Sequence, residues 1–126
     1  MAKILVVEDE ELLSSIIVRE LANAGHDVKA AYNGEEAIQH AGSADAPELI
    51  LLDLIMPKMD GFQVLESLKK DPKTTAIPVV VLSNLGQKED IEKAKSSGAF
   101  DYMVKINFAP KEVCAKVKEI MEKVKK

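Results

Sequence analysis

The stretch Glu48-Leu49-Ile50-Leu51-Leu52-Asp53-Leu54-Ile55-Met56-Pro57-Lys58-Met59-Asp60-Gly61 decides the fold. Its first half is a run of Leu and Ile, which reads as a strand buried on both faces. Such strands belong to parallel sheets covered by helices on both sides. The run stops at Asp53, and a Pro/Gly turn follows. A carboxylate in that position is pushed out at the rim of the sheet, where open α/β sheets bind their ligands. Taken alone, Asp53 would read as a turn or cap residue. The rest of the chain changes that reading.

Working outward, strands and helices alternate. Lys3 to Val7 is an apolar strand. Glu11 to Ala24 carries Leu13, Ile16, Ile17, Leu21 and Ala24 at helical spacing, with Gly25 placed to cap the helix. Asp27 to Ala31 is a weaker second strand, and Gly34 to Ala41 a short helix with Ala37 and Ile38 inward. After the third strand, Leu49 to Leu52, a helix runs from Phe62 to Lys70 with Asp60 as its N-cap and Asp71-Pro72 as its stop. Pro78 opens a fourth strand, Val79 to Leu82. A helix from Lys88 to Ser97 ends at Gly98, and Ala99 to Val104 is the fifth strand. Pro110 opens the last helix, with Val113, Val117, Ile120, Met121 and Val124 on one face. Five such units predict a doubly wound, flavodoxin-like (βα)5 parallel sheet of order 2-1-3-4-5 with helices on both faces.

Bulk properties narrow the function. With 126 residues, 47% of them hydrophobic, the chain is expected to form one globular domain over 1–126 without an effector domain. The net charge of −4, without a basic stripe, argues against direct nucleic-acid binding. No apolar stretch is long enough to span a bilayer. The one cysteine, Cys114, cannot form an internal disulfide, which fits a reducing compartment; a soluble cytoplasmic domain is expected. Cys114 itself reads as a small semi-buried residue. His26 and His40 read as solvated, as do Lys111, Lys116, Lys118, Lys123, Lys125 and Lys126 of the last helix.

The remaining polar groups gather at strand ends. Glu8 and Asp9 follow the first strand, Asp53 the third, Ser83 the fourth and Lys105 the fifth. In the predicted order the first and fourth strands flank the third at about 4.8 Å, so Asp9 and Ser83 can approach Asp53. The fifth lies roughly 10 Å away, a gap only a long side chain crosses, and the residue there is lysine. Three clustered carboxylates need a cation or a raised pKa. Carboxylates with a backbone carbonyl and waters suit Mg²⁺. A hydroxyl, an ammonium and an open metal position together suit a phosphoryl group. Asp53 then reads as an aspartyl nucleophile.

Ile4-Leu5-Val6-Val7-Glu8-Asp9-Glu10, Leu52 to Gly61, Val81-Leu82-Ser83 and Gly98-Ala99-Phe100-Asp101-Tyr102-Met103-Val104-Lys105 resemble the receiver domain of two-component response regulators, of the stand-alone type. The resemblance covers essentially the whole chain. The 2-1-3-4-5 order is also the family's, so the two readings are not independent. The resemblance implies that Asp53 accepts phosphate from a histidine kinase or phosphotransfer protein. It implies Mg²⁺ held by Glu8, Asp9, Asp53 and the Ile55 carbonyl. Ser83 takes the switch-hydroxyl role, Lys105 the phosphate-pairing role and Tyr102 the role of switch aromatic. The output surface, for a downstream protein or a phosphorylation-dependent dimer, is the helix from Lys88, the fifth strand and the last helix. That helix is thinly apolar, with Ile91 and Ala94 as anchors, as a switching element requires.

The chain departs from the family pattern in places. Ile106 stands where a proline usually follows the lysine, so a cis bond is not expected, and Ile106 to Pro110 is one residue longer than usual. Asn84 replaces a small residue. Ile55 and Leu85 flank the path of a hydrolytic water and cannot orient one. Two rival functions follow. One is an aspartyl-phosphate hydrolase of the haloacid dehalogenase type, which needs a second Asp where Ile55 stands. The other is a degenerate receiver that binds partners without phosphorylation.

Overall fold

The structure, a computed structural model, describes residues 2–56 and 59–124. Pro57, Lys58, Lys125 and Lys126, which the sequence placed in the Asp53 turn and on the last helix, lie outside the described residues. The elements are β1 (Lys3–Val7), α1 (Glu11–Asn23), β2 (Asp27–Ala31), α2 (Gly34–Ala41), β3 (Leu49–Leu52), α3 (Gly61–Lys70), β4 (Val79–Ser83), α4 (Lys88–Ser96), β5 (Asp101–Val104) and α5 (Pro110–Val124). A 3-10 turn, Lys105–Asn107, joins β5 to α5. The sheet is parallel, in the order β2-β1-β3-β4-β5.

The β3 run shows why the sheet is doubly wound. Successive strand side chains point to opposite faces. Leu49 and Leu51 therefore pack with Ile17, Leu21, Val113, Val117 and Ile120 of α1 and α5. Ile50 and Leu52 pack with Ala37, Val64, Leu65, Leu68 and Ala94 of α2, α3 and α4. All four β3 side chains are at most 1% exposed, and burying each contributes roughly 1.5–3 kcal/mol. A polar residue at any of them would lack a solvated face to turn to.

The structure corrects several element details. The buried stripe of α1 is Ser14, Ile17 and Leu21, so Ile16 stays 36% exposed and Ala24 lies outside, as the C-cap. Gly25 follows with φ 98°, the left-handed geometry that glycine adopts without a Cβ clash. Serine at the start of the stripe is what an apolar count passes over. Strand β5 starts two residues late because the Ala99 N–H donates back to Ala94 O at 3.0 Å, closing α4 instead. Val124, the last residue of α5, is 38% exposed rather than inward, and the buried stripe of that helix ends at Met121. His26 is half-buried rather than solvated, and its Nδ1 accepts from the Ala2 N–H at 3.2 Å. Lys116 is likewise no free surface lysine: it lies 3.9 Å from Asp101 and 3.6 Å from Glu119.

Asp60 caps α3 as expected, accepting from the Gln63 N–H at 3.0 Å, while Gln63 Oε1 accepts from the Asp60 N–H in a reciprocal capping box. Just past that cap the Gly61 N–H donates to Leu54 O at 3.0 Å, which ties the start of α3 to the chain leaving β3. No peptide bond is cis among the described residues, in keeping with Ile106 after Lys105.

Candidate functional site

The sheet order reverses between β1 and β3, and the crevice beyond their carboxyl ends is where such folds bind ligands. The Val7–Leu52 pairing brings the two strand ends level. The Asp53 N–H continues the ladder by donating to Val7 O at 3.1 Å. One residue further along β1 stands Glu8, whose N–H donates to Ala31 O at 3.0 Å. Carboxylate oxygens of Glu8, Asp9 and Asp53 all lie within 4.8 Å of one another. Glu8 and Asp53 are buried, at 3% and 5% exposure, whereas Asp9 reaches solvent.

Lys105 crosses the site as its length allows. Its ammonium donates to Glu8 Oε1 and, at 3.1 Å, to Asp53 Oδ2. The second oxygen of each acid is held by backbone: Glu8 Oε2 accepts from the Glu10 N–H and Asp53 Oδ1 from the Ile55 N–H, both at 3.1 Å. Both buried carboxylates are thus fixed in place. The Glu8–Lys105 pair was not foreseen, although β1 and β5 both end at this rim. A sequence reading that pairs Lys105 only with an incoming phosphate overlooks its partner in the phosphate's absence.

The electrostatics follow from burial and charge count. Burial pushes the Glu8 carboxyl above its usual range, more than the Lys105 hydrogen bond pulls it down. Burial works against the Lys105 ammonium as well, but Glu8 and Asp53 together hold its pKa above normal. Three carboxylates face one ammonium, which leaves an excess of two negative charges. An all-oxygen donor set with that excess fits a hard divalent cation such as Mg²⁺.

Ser83 closes β4 with no exposed surface, and its Oγ accepts from the Leu85 N–H at 3.4 Å. Since Leu52 pairs with Val81, Ser83 lies one residue beyond the level of Asp53 on the neighbouring strand. Tyr102 is half-buried against the α2–α4 side of the core, and its hydroxyl donates to Leu85 O. Burial, with the charges of Asp90 and Asp53, pushes this phenol up to about 12. Ser83 and Tyr102 therefore both engage Leu85, a residue singled out by sequence only for its apolar side chain.

Gly61 is a site residue that the sequence reading treated only as part of a turn. Its N–H donates to Leu54 O at 3.0 Å. A Cβ there would stand 2.4 Å from Asp53 O and from Leu54 Cα. Only glycine lets α3 start against the backbone that carries Asp53.

Comparison with known proteins agrees with this geometry. The response regulator receiver domain profile matches residues 4–118. The DNA-binding dual master transcriptional regulator RpaA of Synechocystis is 37% identical over 123 residues, covering 98% of this chain and 50% of that protein. The receiver domain of the Francisella response regulator 1452 superposes with a TM-score of 0.86 at 28% identity, covering 98% of both chains. The phosphorylated cyanobacterial phytochrome response regulator RcpA does so with a TM-score of 0.80 at 34% identity, covering 96% of this chain and 91% of that one. The chain belongs to the response regulator receiver domain family, a signalling family dependent on phosphorylation. It spans about half the length of the curated relatives it matches first. The hydrolase reading falls with this result, and Ile55 indeed offers no acid at the required position. Among the described residues no helix is long and apolar enough to cross a membrane.

Proposed function

We propose that Asp53 is the phosphoacceptor of a histidine kinase or phosphotransfer protein and that its phosphorylation resets the face formed by α4, β5 and α5. The observation that carries this reading is the Lys105 ammonium, held 3.1 Å from a buried Asp53 across two strands. A degenerate receiver has no use for so costly an arrangement of buried charge.

Asp53 Oδ attacks the phosphorus of a phosphohistidine; the new P–O bond forms as the P–N bond breaks, and the imidazole keeps the electron pair and takes a proton from water. Glu8, Asp9, Asp53 and the Ile55 carbonyl would hold Mg²⁺, which offsets charge on the transferred oxygens when bound. Lys105 exchanges part of its pairing with Glu8 and Asp53 for a phosphoryl oxygen. Ser83 turns its hydroxyl toward another, which draws Leu85 and, through the Leu85 carbonyl, Tyr102. The phosphoryl group carries about −1.5 to −2 where the carboxylate carried a single charge, and this larger charge, set further out toward Ser83 and Lys105, supplies the force for that movement.

Adding beryllofluoride and Mg²⁺ to the ¹⁵N-labelled chain tests this. Shifts reaching from Asp53 and Ser83 to Tyr102 and Ile91 are expected. Shifts confined to the acidic rim would leave a metal site without a switch and defeat the proposal.

A further inference from the structure

Helix α4 is held weakly. Ala94 is its only buried residue, and Ile91 is half-buried. Its outer face is charged, and an i,i+4 pair, Lys88–Glu92, spans 4.0 Å on that face. A second cation, Lys93, points elsewhere: its ammonium stands over the Phe62 ring of α3, 4.1 Å from the centroid. Phe62 is well anchored. It follows Gly61, which is hydrogen-bonded to Leu54 beside Asp53, and it packs on the core cluster that also takes Leu85 and Tyr102.

The other end of α4 is pinned to α3 too. Gly98, with φ 109°, lies against the methylenes of Lys69, where a Cβ would come within 2.8 Å of Cγ. Lys69 cannot yield readily, because its ammonium donates to Thr75 O at 3.0 Å and Ile77 O at 2.8 Å. The fixed end of α4 is therefore its C-terminus, and its free end is the one joined to Ser83 and Leu85. Lys93 sits between the two.

From this arrangement we infer that the Lys93–Phe62 contact is a latch that holds α4 in the position seen here and sets the threshold of the switch. The inference rests on the phosphoacceptor reading of Asp53. Drawing Leu85 toward a phosphoryl group swings α4 about its pinned end and lifts Lys93 off the ring. A contact present in one state and lost in the other biases the equilibrium by its own free energy. For an exposed cation–π pair that bias is about two- to five-fold.

The test measures the dissociation constant for beryllofluoride with Mg²⁺ by ¹⁹F NMR. The chains compared are the wild type, Lys93→Met, Phe62→Leu, the double variant and Lys93→Arg, with thermal unfolding to show that each is folded. The latch predicts binding about two- to five-fold tighter in each of the first two variants, no further gain in the double variant, and wild-type affinity for the arginine. Unchanged or weaker binding in Lys93→Met, or effects that add in the double variant, overturn it. A wild type that binds no beryllofluoride overturns the phosphoacceptor reading itself, and the latch with it.

Discussion

Gly61→Ala sets two effects against each other, and the structure decides between them. Alanine is a better helix former than glycine by up to about 1 kcal/mol, so propensity alone predicts a stabilised α3. The new Cβ, however, would lie 2.4 Å from Asp53 O and Leu54 Cα, and 2.9 Å from Leu54 Cδ2. The first two are backbone atoms, Asp53 being tied to β1 through its N–H to Val7 O and Leu54 to α3 through its carbonyl, so no flexible side chain can move aside. Overpacking of this kind costs about 1–3 kcal/mol, and backbone contacts place it at the upper end. Subtracting the propensity gain leaves a net loss of about 2 kcal/mol. With a urea slope of about 2 kcal/mol per M, the midpoint should fall by about 1 M. Gly42→Ala is the matched control: φ is −90° and the new Cβ meets Ile38 O at an acceptable 3.4 Å. That variant should be neutral, or more stable by at most about 1 kcal/mol. Urea unfolding of both variants, followed by circular dichroism, gives the answer. A Gly61→Ala midpoint at or above the wild-type value would refute the close approach of α3 to Asp53.

Three further outcomes follow. Lys105→Met strands Glu8 and Asp53 in the rim, and since Lys105 keeps 15% of its side chain exposed the loss should be about 2 kcal/mol, below the range for fully buried pairs. Glu8 already titrates above its usual range. An acid raised in the folded state contributes stability below its unfolded pKa and loses it as pH rises through the folded one. Removing Lys105 raises that folded value further, so the penalty measured by urea unfolding should be larger at about pH 8 than at about pH 5; a penalty that does not change with pH would contradict the pairing. In an alkaline titration by ultraviolet absorbance, Tyr102 should ionise only at about 12; because the neutral phenol is the form favoured by folding, its contribution is intact below about pH 10 and is lost as the pH rises through about 12. Finally, Ile55, 54% exposed beside the acceptor, offers no group to position a water, so the phosphorylated chain with Mg²⁺ should keep its phosphate for minutes or longer, and Ile55→Asn should shorten that lifetime severalfold; a wild-type half-life of seconds would show that another group orients the water.

The sheet was legible because β3 is apolar at every position, which only a two-sided covering explains. The meeting of Asp53, Glu8, Asp9 and Lys105 followed from strand order and side-chain length. What escaped were features set by neighbours rather than by pattern. Ser14 occupies a core stripe while being polar, and Ile16 is apolar while lying outside it. The 3-10 turn at Lys105–Asn107 carries no distinctive spacing. Nor does spacing reveal that Glu8 takes Lys105 as a partner, that the Leu85 backbone serves both Ser83 and Tyr102, or that Phe62 lies beneath Lys93. Each of these contacts depends on where a loop or a ring comes to rest.

The central claim is that Asp53 accepts the phosphoryl group. Intact mass after treatment with acetyl phosphate and Mg²⁺ tests it most directly. Wild type should gain a single phosphoryl adduct, and Asp53→Asn none. An unmodified wild type, or an adduct that survives Asp53→Asn, would contradict the account.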